Sequence, residues 1–516
     1  MTQVRTIVRS REDGARRGGY RTATTGHDHF QVEKEFVRAL TAAKLKQMFA
    51  KPFIRAMNDH VDGVYNIARH PSSITTFATA SVDGSVKIYD ISSGAQLSSL
   101  TAHTGWITGV CFPACTADMM VTCARDSLLR FWKLPDIYAL NDQSVPLHRR
   151  EIQLISSINL EASPAGLAHH AADRKLALAT PTGVHIFDHE RQEALACLTY
   201  SDGGIMDSSF STVQFNQAEQ HLVAATSETY CVFFDVRVHR PAFRFSLWSR
   251  PSCITFNNYY PNVLAIGAND GYCYSFDIRN FSRNDNYRAL DRFTGNTGAV
   301  LSCAFSPDGS VLATGGYDKA VRLYDVRTVG PNMTLKNHRG EVIFQSLETA
   351  GLPMGETRDK LEMAEYSNQE TMCSDVSKSR NHPFAFNIQP YDTYHNPRMM
   401  RVWALAFSGD GRFLLTGSDD ANLRVWKTRA SESLKTLTRS EADAIDYRET
   451  LVNKFQNVPA VRQVLKSHRL PHLLTVARRR AIIHNQAERR KDENRRTHRH
   501  EEVPSAASRV VHSVDK

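Results

Sequence analysis

Apolar and polar residues alternate with a period of two through short runs between His60 and Lys427. Val300-Leu-Ser-Cys-Ala-Phe305 is one run, and the turn Ser306-Pro-Asp-Gly309 follows it. A second, Val311 to Thr314, leads to a tight turn at Asp318, and a third, Val321 to Tyr324, closes the unit. Such alternation bounded by turn residues predicts half-buried strands. In Pro-Asp-Gly the proline presets φ and the glycine accepts a positive one. The unit recurs along the chain. An Asp lies six residues before an aromatic in Asp83 and Tyr89, Asp126 and Trp132, Asp270 and Phe276, Asp318 and Tyr324, and Asp420 and Trp426. Glu228 with Phe234 is a weaker copy, and Gly183-Val-His-Ile-Phe-Asp188 keeps only the end of the motif. The aromatic ends fall 43, 55, 47, 42, 48 and 102 residues apart. Most intervals are near the roughly 40–45 residues of a four-stranded propeller blade. The pattern predicts an all-β, seven-bladed propeller over 59–427. Each Asp is expected to accept backbone N–H groups at its turn, and each aromatic to point between blades.

The period changes on both flanks. Residues 1–58 form an N-terminal extension whose Arg-, Gly- and Thr-rich start predicts disorder. Phe36, Leu40, Leu45, Met48 and Phe49 then anchor a short helix, with Thr41 as its N-cap and Pro52 as its limit. That helix either packs on the following domain or binds a partner. The 102-residue interval predicts an insertion in the last blade at 344–397, polar enough to be disordered. Asn337-His-Arg-Gly340 would open that blade, and Trp403-Ala-Leu-Ala-Phe-Ser-Gly-Asp-Gly411 would be its next strand and turn. An eighth blade is the alternative. Over 428–516, Ser440-Glu-Ala-Asp443 resembles a capping box, Ile445, Leu451, Val452 and Phe455 give a helical face, and Pro459 and Pro471 suit the first turns of further helices.

Charge is unevenly placed. Residues 1–58 hold 12 Lys and Arg against 5 Asp and Glu, residues 428–516 hold 19 against 11, and the stretch between is mildly acidic. Basic ends on an acidic body point to an anionic partner met by the ends. The tail concentrates its charge in Arg478, Arg479 and Arg480, then Arg489, Arg490 and Lys491, then Arg495, Arg496 and Arg499. Such clusters neutralise phosphates, and without interleaved aromatics they favour phosphate contact over base stacking. A nuclear import signal and a merely solvated helix face are the other readings. No run of 18 apolar residues predicts a membrane span, and Met1 to Ser10 lacks the apolar stretch of a secretory signal. Nine scattered cysteines fit core thiols in a reducing compartment. Phosphate-loop, metalloprotease and nucleophile-elbow motifs are missing from the sequence. His169-His170 and His498-x-His500 lack further ligands at useful spacing. The expectation is a non-enzyme with no cofactor and no metal.

Three successive units end in Phe234-Asp-Val-Arg237, Phe276-Asp-Ile-Arg279 and Tyr324-Asp-Val-Arg327. These resemble the W-D-x-R box by which some WD-repeat proteins dock to the adaptor of cullin-type ubiquitin ligases, with Phe or Tyr in place of Trp. The alternative is that each Arg pairs with a carboxylate on a neighbouring blade.

His103 with Trp132, and His60 with Tyr89, match the fuller pattern of the WD-repeat family, whose units form β-propellers. The flanks narrow the resemblance. Phe36-Val-Arg-Ala-Leu-Thr-Ala-Ala-Lys-Leu45 and Phe49-Ala-Lys-Pro-Phe53 precede the first blade. Lys427-Thr-Arg-Ala-Ser-Glu432, Asp446-Tyr447, Lys454-Phe455 and His468-Arg-Leu-Pro471 follow the last. Together these resemble the WD-repeat-and-SOF-domain proteins over about residues 30 to 500. The resemblance implies a component of the nucleolar small-subunit processome, associated with processome proteins, pre-rRNA and a box C/D small nucleolar RNA, and needed for 18S rRNA maturation. For some animal members it also implies a ubiquitin-ligase substrate receptor. The insertion at 344–397 departs from the family pattern.

Overall fold

The computed structural model describes residues 31–113, 118–135, 152–326 apart from 172, 201–208, 220, 229, 239, 248 and 281–288, then 386–466 apart from 433 and 435, and scattered residues between 475 and 494. Their strands form seven sheets, antiparallel but for one added strand. The first is built from Val64–Arg69, Thr76–Ser81, Ser85–Asp90 and Gln96–Thr101, hydrogen-bonded in that order. The next five begin at Ile107, Gly166, Thr212, Pro251 and Val300, and the seventh at Val402. The first strands of successive sheets touch one another all the way round, ending with Val402–Phe407 against Val64–Arg69. The sheets are therefore the seven blades of a closed propeller with the first strands at its axis. Phe53–Met57 supplies the outer strand of the seventh blade, beside Leu423–Lys427, so the ring is shut by a strand from the opposite end of the chain.

The aromatic ends weld each blade to the one before it. Trp132 packs with Ala78, Val86 and Ile88 of the first blade. Tyr324 packs with Ala265, Cys273 and Phe293 of the fifth, and Tyr89 with Leu415, Leu423 and Val425 of the seventh. Trp426 stacks on Tyr394 with ring centres 5.5 Å apart. Burying such a side chain fully contributes about 1.5–3 kcal/mol, so these contacts dominate cohesion between blades.

Two expectations about the long interval are corrected. Residues 386–397 are not a structureless stretch. Asp392–Tyr394 is the fourth strand of the sixth blade, paired with Val321–Asp325, and Phe386–Ile388 runs parallel to Asp291–Phe293 as a fifth strand on the fifth blade. The insertion thus separates the third and fourth strands of the sixth sheet and does not lie in the seventh. Asn337 to Gly340 fall outside the described residues, and so does most of 344–397.

A second unit is helical. It contains α1 (Gln31–Met48), α2 (Arg439–Lys454) and α3 (Pro459–Lys466). Ala42, Ala43, Val452 and Val461 form its centre, with Phe36, Leu40, Phe455 and Val464 around them. Small alanines on α1 allow close approach, and Phe36 meets Phe455 edge-on at 6.0 Å. Lys454 pairs with Glu35 at 2.6 Å. Within this unit α1 packs against the tail helices, a partner that neither sequence reading, packing on the following domain or binding a partner, named. Thr41 lies inside α1, donating to the Val37 carbonyl at 2.8 Å, and is no N-cap. The N-cap of α2 is Thr438, whose N–H donates to Glu441 Oε2 at 3.0 Å, two residues before the expected box. Pro459 opens α3, where its missing N–H is not needed.

Candidate docking surfaces

In each blade the first strand starts, and the second strand turns into the third, on one face of the ring. The first-to-second and third-to-fourth turns lie on the opposite face. The repeated Asp residues sit on the former. Asp83 accepts the Ser85 N–H at 2.7 Å, Asp126 that of Leu128 at 3.1 Å and Asp270 that of Tyr272 at 3.0 Å. In the second blade the turn is tied to the core by a complete relay. Asp126 holds His103 Nδ1 at 2.9 Å, His103 Nε2 meets Thr122 Oγ1 at 2.8 Å, and Trp132 Nε1 donates to the same hydroxyl at 2.9 Å. The first blade repeats it more loosely. His60 Nε2 lies 2.7 Å from Thr79 Oγ1 and His60 Nδ1 lies 3.6 Å from Asp83. Burial holds both imidazoles below their ordinary value, against the pull of the two carboxylates. These residues shape the turns and are consumed by them.

The sixth and seventh blades replace the histidine with arginine. Asp318 is bonded by Arg322, and Asp420 by Arg424, both guanidinium groups being buried. Sequence comparison with the His-containing repeats missed these residues. The signal was an Arg four places after each Asp in repeats that lack the His, since Arg130 has the same spacing from Asp126 but bonds the Ala102 carbonyl. Trp426 Nε1 still donates to Thr416 Oγ1 at 3.0 Å. In the fifth blade Tyr274 plays the partner, donating its hydroxyl to Asp270, whose carboxyl is pushed up by burial.

Arg237 and Arg279 project from the opposite face, just past the third strands of the fourth and fifth blades. Neither reaches across to a neighbouring blade for the ion pair it makes. Arg237 Nη2 meets Asp235 Oδ2 at 2.9 Å and Arg279 Nη2 meets Asp277 Oδ2 at 2.8 Å, each two residues back on its own chain. Their side chains remain 62% and 53% exposed, so the forks are held in place yet open to a partner. Arg327 lies outside the described residues.

Every described residue between 475 and 494 is helical. Arg479, Arg480, Arg490 and Lys491 are exposed there. Arg478, Arg489, Arg495, Arg496 and Arg499 lie outside the described residues, as does Pro471. Among the described residues no group of three His, Cys, Asp or Glu is disposed to hold a metal, and no helix is long and apolar enough to cross a membrane.

Comparison with known proteins adds to this geometry. Residues 428–512 match the Sof1-like domain, and residues 51–90, 94–133, 288–325 and 389–427 match the WD domain, G-beta repeat. Protein SOF1 of Saccharomyces cerevisiae is 25% identical over 504 residues, covering 94% of this chain and 88% of that protein. The DDB1- and CUL4-associated factor 13 of Xenopus laevis is 26% identical over 470 residues, covering 91% and 88%. That of Mus musculus is 27% identical over 491 residues, covering 94% and 92%.

Proposed function

We propose, for a chain that belongs to the proteins joining WD40 repeats to a Sof1-like domain, that it is a non-catalytic scaffold of the nucleolar small-subunit processome. In this reading the propeller docks processome proteins. The basic tail contacts pre-rRNA or its box C/D guide RNA, supporting 18S rRNA maturation. The observation that carries it is the union of a rigid ring with a Sof1-like tail whose Arg479, Arg480, Arg490 and Lys491 are exposed on helix. Exposed cations in that density gain affinity by releasing counterions from phosphates. The test is an RNA crosslinking map of the full chain from growing cells, beside a chain in which Arg478, Arg479, Arg480, Arg489, Arg490 and Lys491 are neutralised. The expected result is loss of crosslinks to pre-18S or guide RNA and weaker particle association, with the propeller still folded. Unchanged association with unchanged salt dependence would remove the tail from the RNA contact.

A second reading is a substrate receptor of a cullin-RING ubiquitin ligase. It is favoured by the exposed Arg237 and Arg279 and by relatives that are DDB1- and CUL4-associated factors. Charge reversal at Arg237, Arg279 and Arg327 should then abolish adaptor binding and spare rRNA processing.

A further inference from the structure

The ring face that carries the Asp turns also carries an arc of aromatic rings that the blade repeat does not explain. Tyr65 stacks on Trp403 at 4.5 Å, and Trp106 meets Tyr65 edge-on at 4.5 Å. Tyr317 approaches Trp403 edge-on at 6.2 Å. One carboxylate fixes the middle of the arc, since Asp419 accepts both the Tyr65 hydroxyl and Trp403 Nε1 at 3.2 Å. A guanidinium caps each end. Arg125 lies 4.1 Å over Trp106 and Arg401 lies 4.5 Å over Tyr317. The four rings come from the first, second, sixth and seventh blades. All four line the cavity of about 1340 Å³ that opens between the first strands.

Buried aromatics usually belong to the core, but this arc is placed otherwise. Tyr317 is 43% exposed, and both arginines are exposed and make no ion pair among the described residues. Trp106 Nε1 and Ser302 Oγ, on two residues that line the cavity, are buried and have no hydrogen-bond partner among the described residues. Two exposed guanidinium forks without an ion pair among the described residues call for acceptors, and a carboxylate matches a guanidinium fork bidentately. Nucleic acid fits less well. Stacked bases need open ring faces, yet one face of each ring here is already taken by a guanidinium group or by another ring. Phosphate binding also needs several cations together, and Asp419 sits among these two. Edges of Trp and Tyr beside Arg are instead the chemistry of protein hot spots.

We propose that this arc is a docking site for an extended acidic peptide segment of a partner protein. Carboxylates of that segment engage Arg125 and Arg401, and an apolar side chain between them enters the cavity mouth against the rings. The proposal rests on the reading of the propeller as a protein platform and specifies which face and which chemistry. It places the peptide on the face opposite Arg237 and Arg279, so the two surfaces can be filled together.

The test uses the full chain in growing cells with a photocrosslinking benzoylphenylalanine at Tyr317, and a control at the exposed Val238 on the opposite face. Crosslinked peptides are sequenced. The segment found is then made as a labelled synthetic peptide, and its affinity for the full chain is measured by fluorescence anisotropy. The expected segment carries net negative charge and is not captured from Val238. Its affinity should fall at least tenfold in Arg125→Ala with Arg401→Ala, and recover in part with lysines there. A basic or neutral segment, a crosslink to RNA, no crosslink at all, or an affinity indifferent to both arginines would each overturn the proposal. RNA crosslinks of the tail, read in the same cells, report separately on the processome reading.

Discussion

A carboxylate buried at a turn needs a partner, and the blades meet that need in more than one way. Where the partner is a buried arginine, removing it strands a charge, which costs about 3–5 kcal/mol. Arg424→Met should therefore lower the unfolding free energy of the chain by about that much, and Asp420→Asn in the same chain should recover most of the loss. A thermodynamic cycle from chemical denaturation checks the recovery. Where the partner is histidine, the proton matters. His60 and His103 titrate below the ordinary imidazole value of about 6.5 because they are buried. Below about pH 6.5 the unfolded chain therefore binds more protons than the folded one, so stability falls as the pH drops through the folded values. His169, held to about 4 by burial and by His189, adds to the same loss. Asp83 and Asp420 are lowered by hydrogen bonds that outweigh their burial, and they withdraw stability only further down, below about pH 4. Calorimetry from pH 7.5 to 5 should show a falling midpoint, with a shallower slope in His60→Gln with His103→Gln.

Among the elements, the blades were legible and α1 was only half so. Period-two runs ending in Asp and an aromatic announce a strand, a turn and a strand wherever they occur, because turn chemistry and blade packing act locally. The helix at Phe36 to Met48 was visible from its apolar spacing. Its partners were not, because Val452 and Val461 lie at the other end of the chain. The strand Asp392–Tyr394 escaped notice for a related reason. Three residues carry too little alternation to signal a strand, and its pairing partner Val321–Asp325 is far back in sequence. Ala43 is fully buried between the helices. Ala43→Asp should cost the helical unit about 2 kcal/mol or more by burying an unpaired charge. Hydrogen exchange should report it as lost protection in α2 and α3, with the blades unchanged.

For the molecule as a whole, segments far apart in the chain meet in one sheet. The seventh blade has its fourth strand, and Leu423–Lys427 is covered on its outer side, only while Phe53–Met57 holds its place. Deleting residues 1–57 should leave the seventh blade with three strands and replace one sharp thermal transition by a broader one at lower temperature. Adding the missing segment as a separate peptide should restore part of the midpoint, as mass action requires for a ligand that binds only the folded ring. An unaltered transition after deletion would mean that the seam contributes nothing.

The same seam sets a clock on biosynthesis. Phe53–Met57 leaves the ribosome long before Leu423–Lys427 exists. At about 5–20 residues per second the wait is on the order of 20–70 s. Throughout it the nascent chain shows an unpaired strand and the bare apolar side of α1, whose companions α2 and α3 are made later still. A stalled or truncated transcript would therefore release a sticky, half-built ring, and newly made chains should be clients of co-translational chaperones until the last blade emerges.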